Sequence, residues 1–327
     1  MKLIVSVDTE EDNAWDGRYQ PSGQTVRNVS CLDLLQSLCD AHDVPPVYLV
    51  NNPIIEDDDA CRWLSKQLDR GTCEVGAHLH PWCGPPHFRE SYDSGSSFLC
   101  NLTRDEQFAK LAHLTDRIRQ RLGLSPRSFR AGRYGLDHVG ASLLFDLGYR
   151  IDSSVLPFRS CGDGGPDFSD APWRHYHPHA ESLTRAANSS GPSLLEIPVS
   201  VGYARAPFER SHRRWVDVRT PPWTAMRLPG LLHRAGIAKQ IKATPEQENT
   251  SDICRLADQY LHQDADYFVI LLHSSSLLVG GSPYSATASE RDGLLDTLAA
   301  VLTHCVNRGI TGATFSDAAS EILDPQI

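Results

Sequence analysis

Short apolar runs that suit buried strands alternate with longer amphipathic segments from one end of this sequence to the other. This alternation is typical of parallel strands joined by crossover helices that cover a sheet. Seven or eight such units form a closed or nearly closed β/α barrel, and 327 residues is a length at which such a barrel makes one domain. The predicted strands are residues 3–8, 46–50, 73–78, 128–131, 149–152, 194–199, 267–273 and 312–315.

Two of the predicted helices have recognisable ends. One begins at Thr103, because Thr103 and Glu106 have the spacing of a capping box in which each side chain accepts a backbone N–H of the other residue. Gly123 is suited to end this helix, and apolar residues recur on one stripe between the two ends. Another helix is predicted for residues 289–308, with its leucines facing inward.

Three stretches interrupt the alternation and are rich in Pro, Gly, Ser, Arg and aromatic residues. Long irregular segments inside a compact domain are usually functional loops. We therefore expect one barrel domain over residues 1–327, with loop insertions at about 81–101, 158–193 and 202–250 that lie over the active face. A helical insertion within 221–250 is the alternative for the last stretch.

Charge and cysteine content narrow the class of protein. The formal net charge of -10 and the pI near 5.7 disfavour a nucleic-acid partner, because an acidic surface repels phosphate backbones. No stretch approaches the ~18 apolar residues needed to span a bilayer, and no signal-like leader opens the sequence. Nine cysteines without a Cys-x-x-Cys pair favour free thiols. These features predict a cytoplasmic protein without a membrane span.

Polar residues concentrate where predicted strands end, which is the catalytic face of a β/α barrel. Asp8 and Glu10 stand two residues apart at the end of the first strand, so both carboxylates project to the same side. Such carboxylates repel each other unless a cation lies between them or one holds a proton, and either state serves an enzyme as metal ligand or general base. For Glu11 and Asp12 the sequence favours a solvated turn that caps the next helix.

A His-x-His pair, His78 and His80, follows the third predicted strand. In extended backbone the two imidazoles share one face, and two imidazoles with a carboxylate make a three-ligand metal site that leaves a position open for water. Packing is an equally good explanation for the pair taken alone. Together with Asp8 and Glu10 at an analogous strand end, the pair predicts a metal site.

The fourth predicted strand leads into Arg130, Arg133 and Tyr134, with glycines that let the backbone approach a ligand and free its N–H groups for an oxyanion. An arginine at this place can orient a carboxylate through two parallel hydrogen bonds. A surface turn is the alternative. Asp152 ends the next predicted strand as a partner for an Arg or His, with a helix cap or turn acid as the equally weighted alternative.

A continuous apolar strand ends in His273, which three serines follow. An imidazole at the barrel mouth is suited to protonate a leaving group, because its pKa lies near neutrality. A core histidine with satisfied hydrogen bonds is the alternative. No Gly-x-Ser-x-Gly motif is present, which disfavours a covalent serine mechanism.

Taken in chain order, these motifs resemble the polysaccharide deacetylase superfamily, also called the NodB-homology or carbohydrate esterase family 4 group. More narrowly, they are similar to its WalW-type branch. The resemblance covers nearly the whole chain, and the ordered set is far more specific than any one member. The matching motifs are residues 7–12, 74–82, 129–135, 152–155, 195–200 and 272–274.

The resemblance implies a distorted (β/α)7 barrel of the NodB-homology type, with a zinc-type ion held by an Asp-His-His set. It also implies that a metal-bound water attacks an acetamide carbonyl. By position, the resemblance gives five residues a role: Asp8 as the base, His78 as the first metal histidine, Arg130 as the residue that orients the base, the Tyr134 backbone as an oxyanion contact and His273 as the general acid.

Two departures from the family change the metal set. The first motif commonly has adjacent aspartates, whereas here Thr9 occupies the second place and Glu10 supplies the next carboxylate. The paired histidines usually stand four residues apart, whereas here Trp82 occupies that place and His80 lies nearer. The predicted ligands, for which Zn2+ is the favoured ion, are Asp8, Glu10, His78 and His80. Asp152 completes the predicted catalytic set, and the expected substrate contacts are Trp82, Arg133 and Ser274.

The sequence thus predicts a metal-dependent hydrolase that removes an acyl group from an acetylated saccharide or glycan precursor. Two alternatives stay open. One is hydrolysis of another non-peptide C–N bond, in a formamide or a ureide. The other is a catalytically silent barrel that binds a glycan or a partner through Trp82, Trp173, Trp215 and Trp223. The sugar, the choice between N- and O-deacetylation and the oligomeric state are left open.

Overall fold

The computed structural model describes residues 1–188, 194–218 and 239–323. Most of its strands are short, and they are spread over the whole described chain. In chain order the strands are β1 (Lys2–Thr9), β2 (Val47–Val50), β3 (Glu74–Leu79), β4 (Ser128–Ala131), β5 (Ile151–Asp152), β6 (Pro178–His179), β7 (Ser182–Ala186), β8 (Leu195–Glu196), β9 (Val201–Tyr203), β10 (Gln240–Lys242), β11 (Tyr267–His273) and β12 (Thr311–Gly312).

One parallel sheet organises the molecule. Its strands pair in the order β11-β1-β2-β3-β4-β5-β8, and β12 pairs with Lys2 and Leu3 of β1. Every pair in this order is parallel. The seven ordered strands curl into an open barrel, so the predicted distorted (β/α)7 fold is confirmed.

Irregular chain bridges the gap between β8 and β11. The Ser200 N–H donates to the Val269 carbonyl oxygen at 3.2 Å, and the Val269 N–H donates to Ser200 Oγ at 2.8 Å. The Leu271 N–H donates to the carbonyl oxygen of Ala243, directly after β10, at 2.9 Å. These contacts complete the wall without a regular strand pair, and they place the end of β10 beside the carboxyl half of β11.

The helices cover the outside of the sheet and one end of the barrel. The capping box of Thr103 and Glu106 is confirmed, and Gly123 ends that helix with a left-handed φ of 69°. No helix of the described ranges is long and apolar enough to cross a membrane. The helices are α1 (Leu32–Asp40), α2 (Asn52–Glu56), α3 (Asp58–Asp69), α4 (Arg104–Leu122), α5 (His138–Asp146), α6 (Phe208–Val218), α7 (Thr250–His262), α8 (Ala288–Asn307) and α9 (Phe315–Leu323).

Side chains alternate between the two faces of each strand, and this alternation decides what fills the barrel. Leu3, Val5 and Val7 of β1 pack in the large core that includes the helices. Ile4 packs instead with apolar residues of neighbouring strands and of α9. Asp8 stands four residues after Ile4 and therefore lies on the same inward face, at the carboxyl end. The barrel interior is thus apolar at one end and polar at the other.

Two predicted strands are shorter than expected. The Tyr149 N–H donates to the Leu144 carbonyl oxygen and so belongs to the turn that ends α5, which delays β5 to Ile151. Pro198 lacks a backbone N–H for pairing, and regular pairing of β8 ends before it.

The predicted loop stretches contain regular structure of their own. Residues 158–188 include the antiparallel pair β6 and β7, and residues 202–218 include α6. β9 pairs antiparallel with β10. Most of the predicted helical insertion within 221–250 lies outside the described residues.

Candidate metal centre and active site

A cavity of about 480 Å³ lies at the carboxyl ends of the barrel strands. Its wall joins side chains that follow β1, β3, β4 and β11, so segments that are distant in sequence meet there. Arg130 is buried behind the wall and donates a hydrogen bond to Asp8. The predicted site residues that line the cavity are Asp8, Glu10, His78, His80, Trp82, Arg133, Tyr134 and His273.

Glu10, His78 and His80 converge on one point in this cavity. Glu10 Oε2 lies 3.3 Å from His78 Nε2 and 3.2 Å from His80 Nε2, and the two imidazole nitrogens are 3.0 Å apart. Ligand atoms bound tetrahedrally at about 2.0 Å to one zinc ion are separated by about 3.3 Å. All three side chains are buried. The spacing therefore matches a single bound ion.

The second nitrogen of each imidazole already has a partner. His78 Nδ1 donates to the Arg130 carbonyl oxygen at 2.9 Å, and His80 Nδ1 donates to Glu11 Oε1 at 3.0 Å. Both partners can only accept, so they hold the proton on Nδ1 and leave both Nε2 lone pairs directed at the same point. Two such nitrogens beside a carboxylate need a positive charge between them. Without a metal ion a second proton on His80 meets this need, because Glu11 and Glu10 outweigh burial and raise the pKa of His80 well above its usual value. A divalent metal ion would take the place of this proton, so the donor set fits a metal.

Glu11 lies behind His80 and is buried, so the predicted solvated turn is wrong for this residue. Its carboxylate accepts hydrogen bonds from the Asn51 amide and, at 3.0 Å, from Trp82 Nε1. Trp82 also stacks on the His80 ring, with the ring centroids 4.1 Å apart. Asp12 is buried as well, although it accepts backbone N–H groups as the predicted cap does. Glu11 and Trp82 together fix the orientation of His80.

Asp8 stands beside the trio and is paired with Arg130. Arg130 Nη1 donates to Asp8 Oδ1 at 2.7 Å, and Ser6 and Ser153 accept the N–H groups of Nε and Nη2. Burial raises the pKa of Asp8, but Arg130 and two nearby histidines outweigh it and hold this pKa below its usual value. Asp8 is therefore an ionised and oriented carboxylate. The group of three converging donor atoms forms without it.

His273 faces Asp8, with 3.8 Å between His273 Nε2 and Asp8 Oδ2. Its Nδ1 donates to Glu246 Oε2 at 2.9 Å, and its backbone N–H donates to the same carboxylate. Burial lowers the pKa of His273, but Glu246, Glu10 and Asp8 raise it to about 9. The imidazole therefore carries a proton on each nitrogen at neutral pH.

Glu246 is a functional candidate that the sequence analysis missed. It lies in the segment 202–250, which was expected to be a loop over the active face. The signal that could have found it is the one that identified Asp8, an acidic residue shortly after a strand, here β10. Lys242, at the end of β10, also lines the cavity and was also missed. Like Glu246, it lies in the segment that was expected to be a loop.

Arg133 and Tyr134 have consecutive left-handed backbone conformations, with φ of 55° and 61°. Residues with a side chain adopt this conformation only where the surroundings hold it, often at functional sites. Gly132 precedes them, and a Cβ there would lie 2.3 Å from His80 Cδ2. This turn therefore packs against His80 and directs both side chains to the cavity wall.

Ser274 and Asp152 are not among the described residues that line the cavity. Ser274 Oγ accepts from the Glu10 N–H at 3.1 Å and from Asn28 Nδ2 at 2.7 Å, so Ser274 positions the backbone of Glu10. Ser274 is buried, and the substrate contact expected of it stays a prediction. Asp152 pairs in register with Glu196 of β8, and the role expected of it in catalysis stays a prediction.

Of the four tryptophans considered as stacking platforms, Trp82 lines the cavity. Trp173 and Trp215 are not among the described residues of its wall. Trp173 is buried and donates from Nε1 to Glu209 at 2.9 Å. Trp223 lies outside the described residues.

Comparison with known proteins gives matches in structure. No protein-family model and no curated protein matches the sequence. A structure from Mycobacterium smegmatis assigned to the polysaccharide deacetylases has a TM-score of 0.52 and 16% identity, over 100% of this chain and 92% of that chain. The 4-alpha-glucanotransferase from Thermococcus litoralis has a TM-score of 0.50 and 12% identity, over 98% of this chain and 38% of that chain. The Xyl-CE4 domain of a xylanase from a Trinervitermes trinervoides hindgut metagenome has a TM-score of 0.45 and 11% identity, over 98% and 89%.

These identities are too low to transfer an activity. The glucanotransferase has a similar fold, but its name gives a different activity. The fold by itself therefore does not determine the reaction. The mycobacterial structure matches over nearly the full length of both chains, as the strand-end motifs predict. This chain has the fold of the polysaccharide deacetylase superfamily.

Proposed function

We propose that this chain is a metal-dependent deacetylase that removes an acetyl group from a carbohydrate or glycan precursor. The observation that supports the proposal most directly is the convergence of Glu10 Oε2, His78 Nε2 and His80 Nε2 beside the ion-paired Asp8. Two imidazole nitrogens and one carboxylate oxygen suit Zn2+. The motif order and the fold favour an acyl group on a saccharide.

Glu10, His78 and His80 would hold the ion. When bound, the ion supplies Lewis-acid chemistry to the acyl carbonyl and to water. Glu11 accepts the Nδ1 proton of His80 and so directs Nε2 at the ion, which makes Glu11 a positioning residue for the same site.

Asp8 accepts a proton from the attacking water. Arg130 holds one carboxylate oxygen, Oδ1, while the other, Oδ2, is directed towards His273. The low pKa keeps Asp8 ionised across the neutral range. A general base of this kind increases the reaction rate by a factor of about 10² to 10⁴.

His273 donates a proton to the departing nitrogen or oxygen. Glu246 accepts the Nδ1 proton, which directs the Nε2 proton towards the cavity. The pKa of about 9 means that this proton is present at neutral pH. The Tyr134 N–H, in the left-handed turn, is the proposed contact for the oxyanion.

The rest of the cavity suits a sugar. Trp15, Tyr19 and Phe98 contribute aromatic rings to the wall, and such rings pack against the apolar faces of saccharides. The volume of about 480 Å³ lies within the range of small-molecule sites, about 300 to 1,000 Å³. All nine cysteines are free thiols, which supports the cytoplasm as the proposed location.

Metal analysis of a double variant tests the proposal. We expect the purified protein to retain about one zinc ion per chain after dialysis, and His78→Ala with His80→Ala to retain less than about one tenth of it. His138→Ala with His262→Ala is the matched control, because both residues are exposed and neither lines the cavity. Unchanged zinc in the cavity variant would remove the proposed metal site.

The acyl group is tested separately. Acetate release from acetylated saccharides supports deacetylation, whereas formate release from formylated analogues with no acetate release would favour the formamide alternative. Saccharide binding without either product, in protein that holds zinc, would favour the silent barrel.

A further inference from the structure

Three cationic side chains line the cavity around Tyr134, namely Arg133, Arg159 and Lys242. Within residues 1–188, 194–218 and 239–323, none of the three forms an ion pair with a carboxylate. Lys242 is buried and the two arginines are half-buried. Charges removed from water normally have a partner of opposite charge, because losing their hydration is costly. Unpaired cations are conspicuous in a chain whose net charge is -10.

Lys242 is the most deeply placed of the three, at 5% exposed. Its Nζ donates to Tyr134 Oη at 2.6 Å, and an ammonium group has two further N–H donors. The carboxylate that acts on it most strongly is Glu246, which is already held by His273 and Ser276. Lys242 therefore has donors to offer a ligand in the cavity.

Arg159 is held beside Lys242 on the same wall. Its Nε donates to Gln240 Oε1 at 2.9 Å, and Gln240 precedes Lys242 by two residues on β10, so their side chains share one face of the strand. Burial and, to a lesser extent, the charge of Arg159 lower the pKa of Lys242 to about 8. An anion between the two side chains would relieve this repulsion.

Arg133 contributes charge more than contacts. Its Nη1 donates to the Ser94 carbonyl oxygen at 3.0 Å, and its guanidinium lies 4.0 Å from the centre of the Phe98 ring. The acidic residues of the cavity do not neutralise this side, because Asp8 is paired with Arg130 and Glu10 belongs to the metal-binding trio. The cavity therefore has metal ligands on one side and unpaired cations on the other.

We propose that the substrate is an acylated saccharide with an anionic substituent, a carboxylate or a phosphate, that binds between Lys242 and Arg159. Guanidinium and ammonium groups recognise both anions through charge-assisted hydrogen bonds. A neutral glycan would leave both cations unpaired after the cavity has lost its water. The identity of the reacting acyl group rests on the proposed deacetylase function, whereas the anion contact stands on Lys242 and Arg159.

Calorimetric titration of the zinc-loaded full-length protein with three sugars tests this inference. N-acetylglucosamine is neutral, N-acetylglucosamine 1-phosphate carries a phosphate, and N-acetylmuramic acid carries a carboxylate. We expect at least one of the anionic sugars to bind about ten-fold or more tightly than the neutral sugar. The comparison between the two anionic sugars identifies the preferred anion. Equal affinities for all three, or no measurable binding of either anionic sugar, would overturn the proposal.

Substitutions of Lys242 test whether this side chain causes the preference for an anionic sugar. In Lys242→Gln the ratio of anionic to neutral affinity falls about ten-fold, and in Lys242→Arg it stays within about three-fold of the starting protein. Because both affinities in a ratio are measured on the same protein, partial unfolding affects them equally. The melting temperature checks the folding of each variant independently. Lys66→Gln removes the same charge from an exposed position of α3 and leaves the ratio unchanged. A ratio that survives Lys242→Gln would exclude Lys242 as the anion contact.

Product release separates this inference from the proposed function. Charge-dependent binding without acetate release would keep the anion contact and contradict the deacetylase. Acetate release at the same kcat/KM from neutral and anionic sugars would keep the deacetylase and contradict the anion contact.

Discussion

The barrel holds two pairs of buried carboxyl groups at strand ends, and the pairs differ in charge. Asp8 and Glu10 are close to Arg130 and to histidines, and these partners lower both pKa values although burial raises them. Asp152 and Glu196 lie side by side on β5 and β8, and their pKa values are raised, first of all by burial. The first pair is ionised at neutral pH, whereas the second holds a proton.

Nearby cations, and not residue type or burial, account for the difference. Asp152 Oδ2 and Glu196 Oε2 have no hydrogen-bond donor among the described groups, so a proton shared between them is the available partner. Asp8 instead accepts a charged hydrogen bond from Arg130. In this barrel the strand-end carboxyl groups beside cations are therefore the ionised ones, and among them Asp8 is the proposed base.

The largest expected effect compares the same substitution in the two pairs. Asp8→Asn removes the charge of the proposed general base, so we expect kcat/KM for acetate release to fall about a thousand-fold. Asp152→Asn replaces one of two carboxyl groups that share a proton with an amide of the same size, and kcat/KM falls less than about ten-fold. Zinc content should be unchanged in both variants, since neither residue belongs to the metal-binding trio. Equal losses in the two variants would contradict the distinction between the pairs.

The next effect concerns the pH dependence. Glu246 makes the largest contribution among the three carboxylates that raise the pKa of His273 to about 9, so the proposed general acid keeps its proton until the pH rises past that value. In Glu246→Gln the pKa falls towards its usual value of 6.5, and the alkaline limb of the kcat/KM profile moves to lower pH. At pH 8 we expect roughly a ten-fold loss, and little change at pH 6. If kcat/KM falls by the same factor at all pH values and the alkaline limb does not move, Glu246 does not act through protonation of His273.

The smallest effect is on stability and has opposite signs in the two pairs. Above the usual carboxyl pKa of 4.5, folded Glu196 keeps a proton that the unfolded chain has released, so its contribution to stability falls as pH rises. Glu196→Gln removes this loss, and the melting temperature at pH 8 rises by roughly 1 to 3 °C. Glu10 has a lowered pKa, so it stabilises above pH 4.5, and Glu10→Gln melts lower than the metal-free starting protein at pH 8. Melting curves of both metal-free variants at pH 5 and pH 8 check this, and shifts of the same sign would contradict it.

The fold was predictable from the strand pattern, because apolar runs such as residues 267–273 carry a strong local signal. The inward-facing positions of Asp8, His78 and Arg130 followed from alternation once the strands were located. The short β5 was predicted too long, because the contact of Tyr149 with α5 depends on the packed helix and not on local sequence.

The site was only partly predictable. Glu246 and Lys242 reach the cavity because β10 lies beside β11, and this contact between segments distant in sequence leaves no local pattern. Glu11 was assigned to a solvated turn because adjacent acidic residues usually remain in water, whereas here Trp82 covers it and His80 and Asn51 engage its oxygens. The places of these residues in the site thus depend on partners that only the tertiary structure brings to them.

Gly132 has a consequence for recognising this centre in other chains. Its missing side chain is the space that the His80 ring occupies, since even a methyl group there would overlap Cδ2. Alanine at this position would displace the imidazole while leaving every ligand residue in the sequence. A chain with the same His-x-His spacing but a bulkier residue in this turn would therefore lack the pocket for the second ring, so the glycine is as diagnostic of the centre as the histidines are.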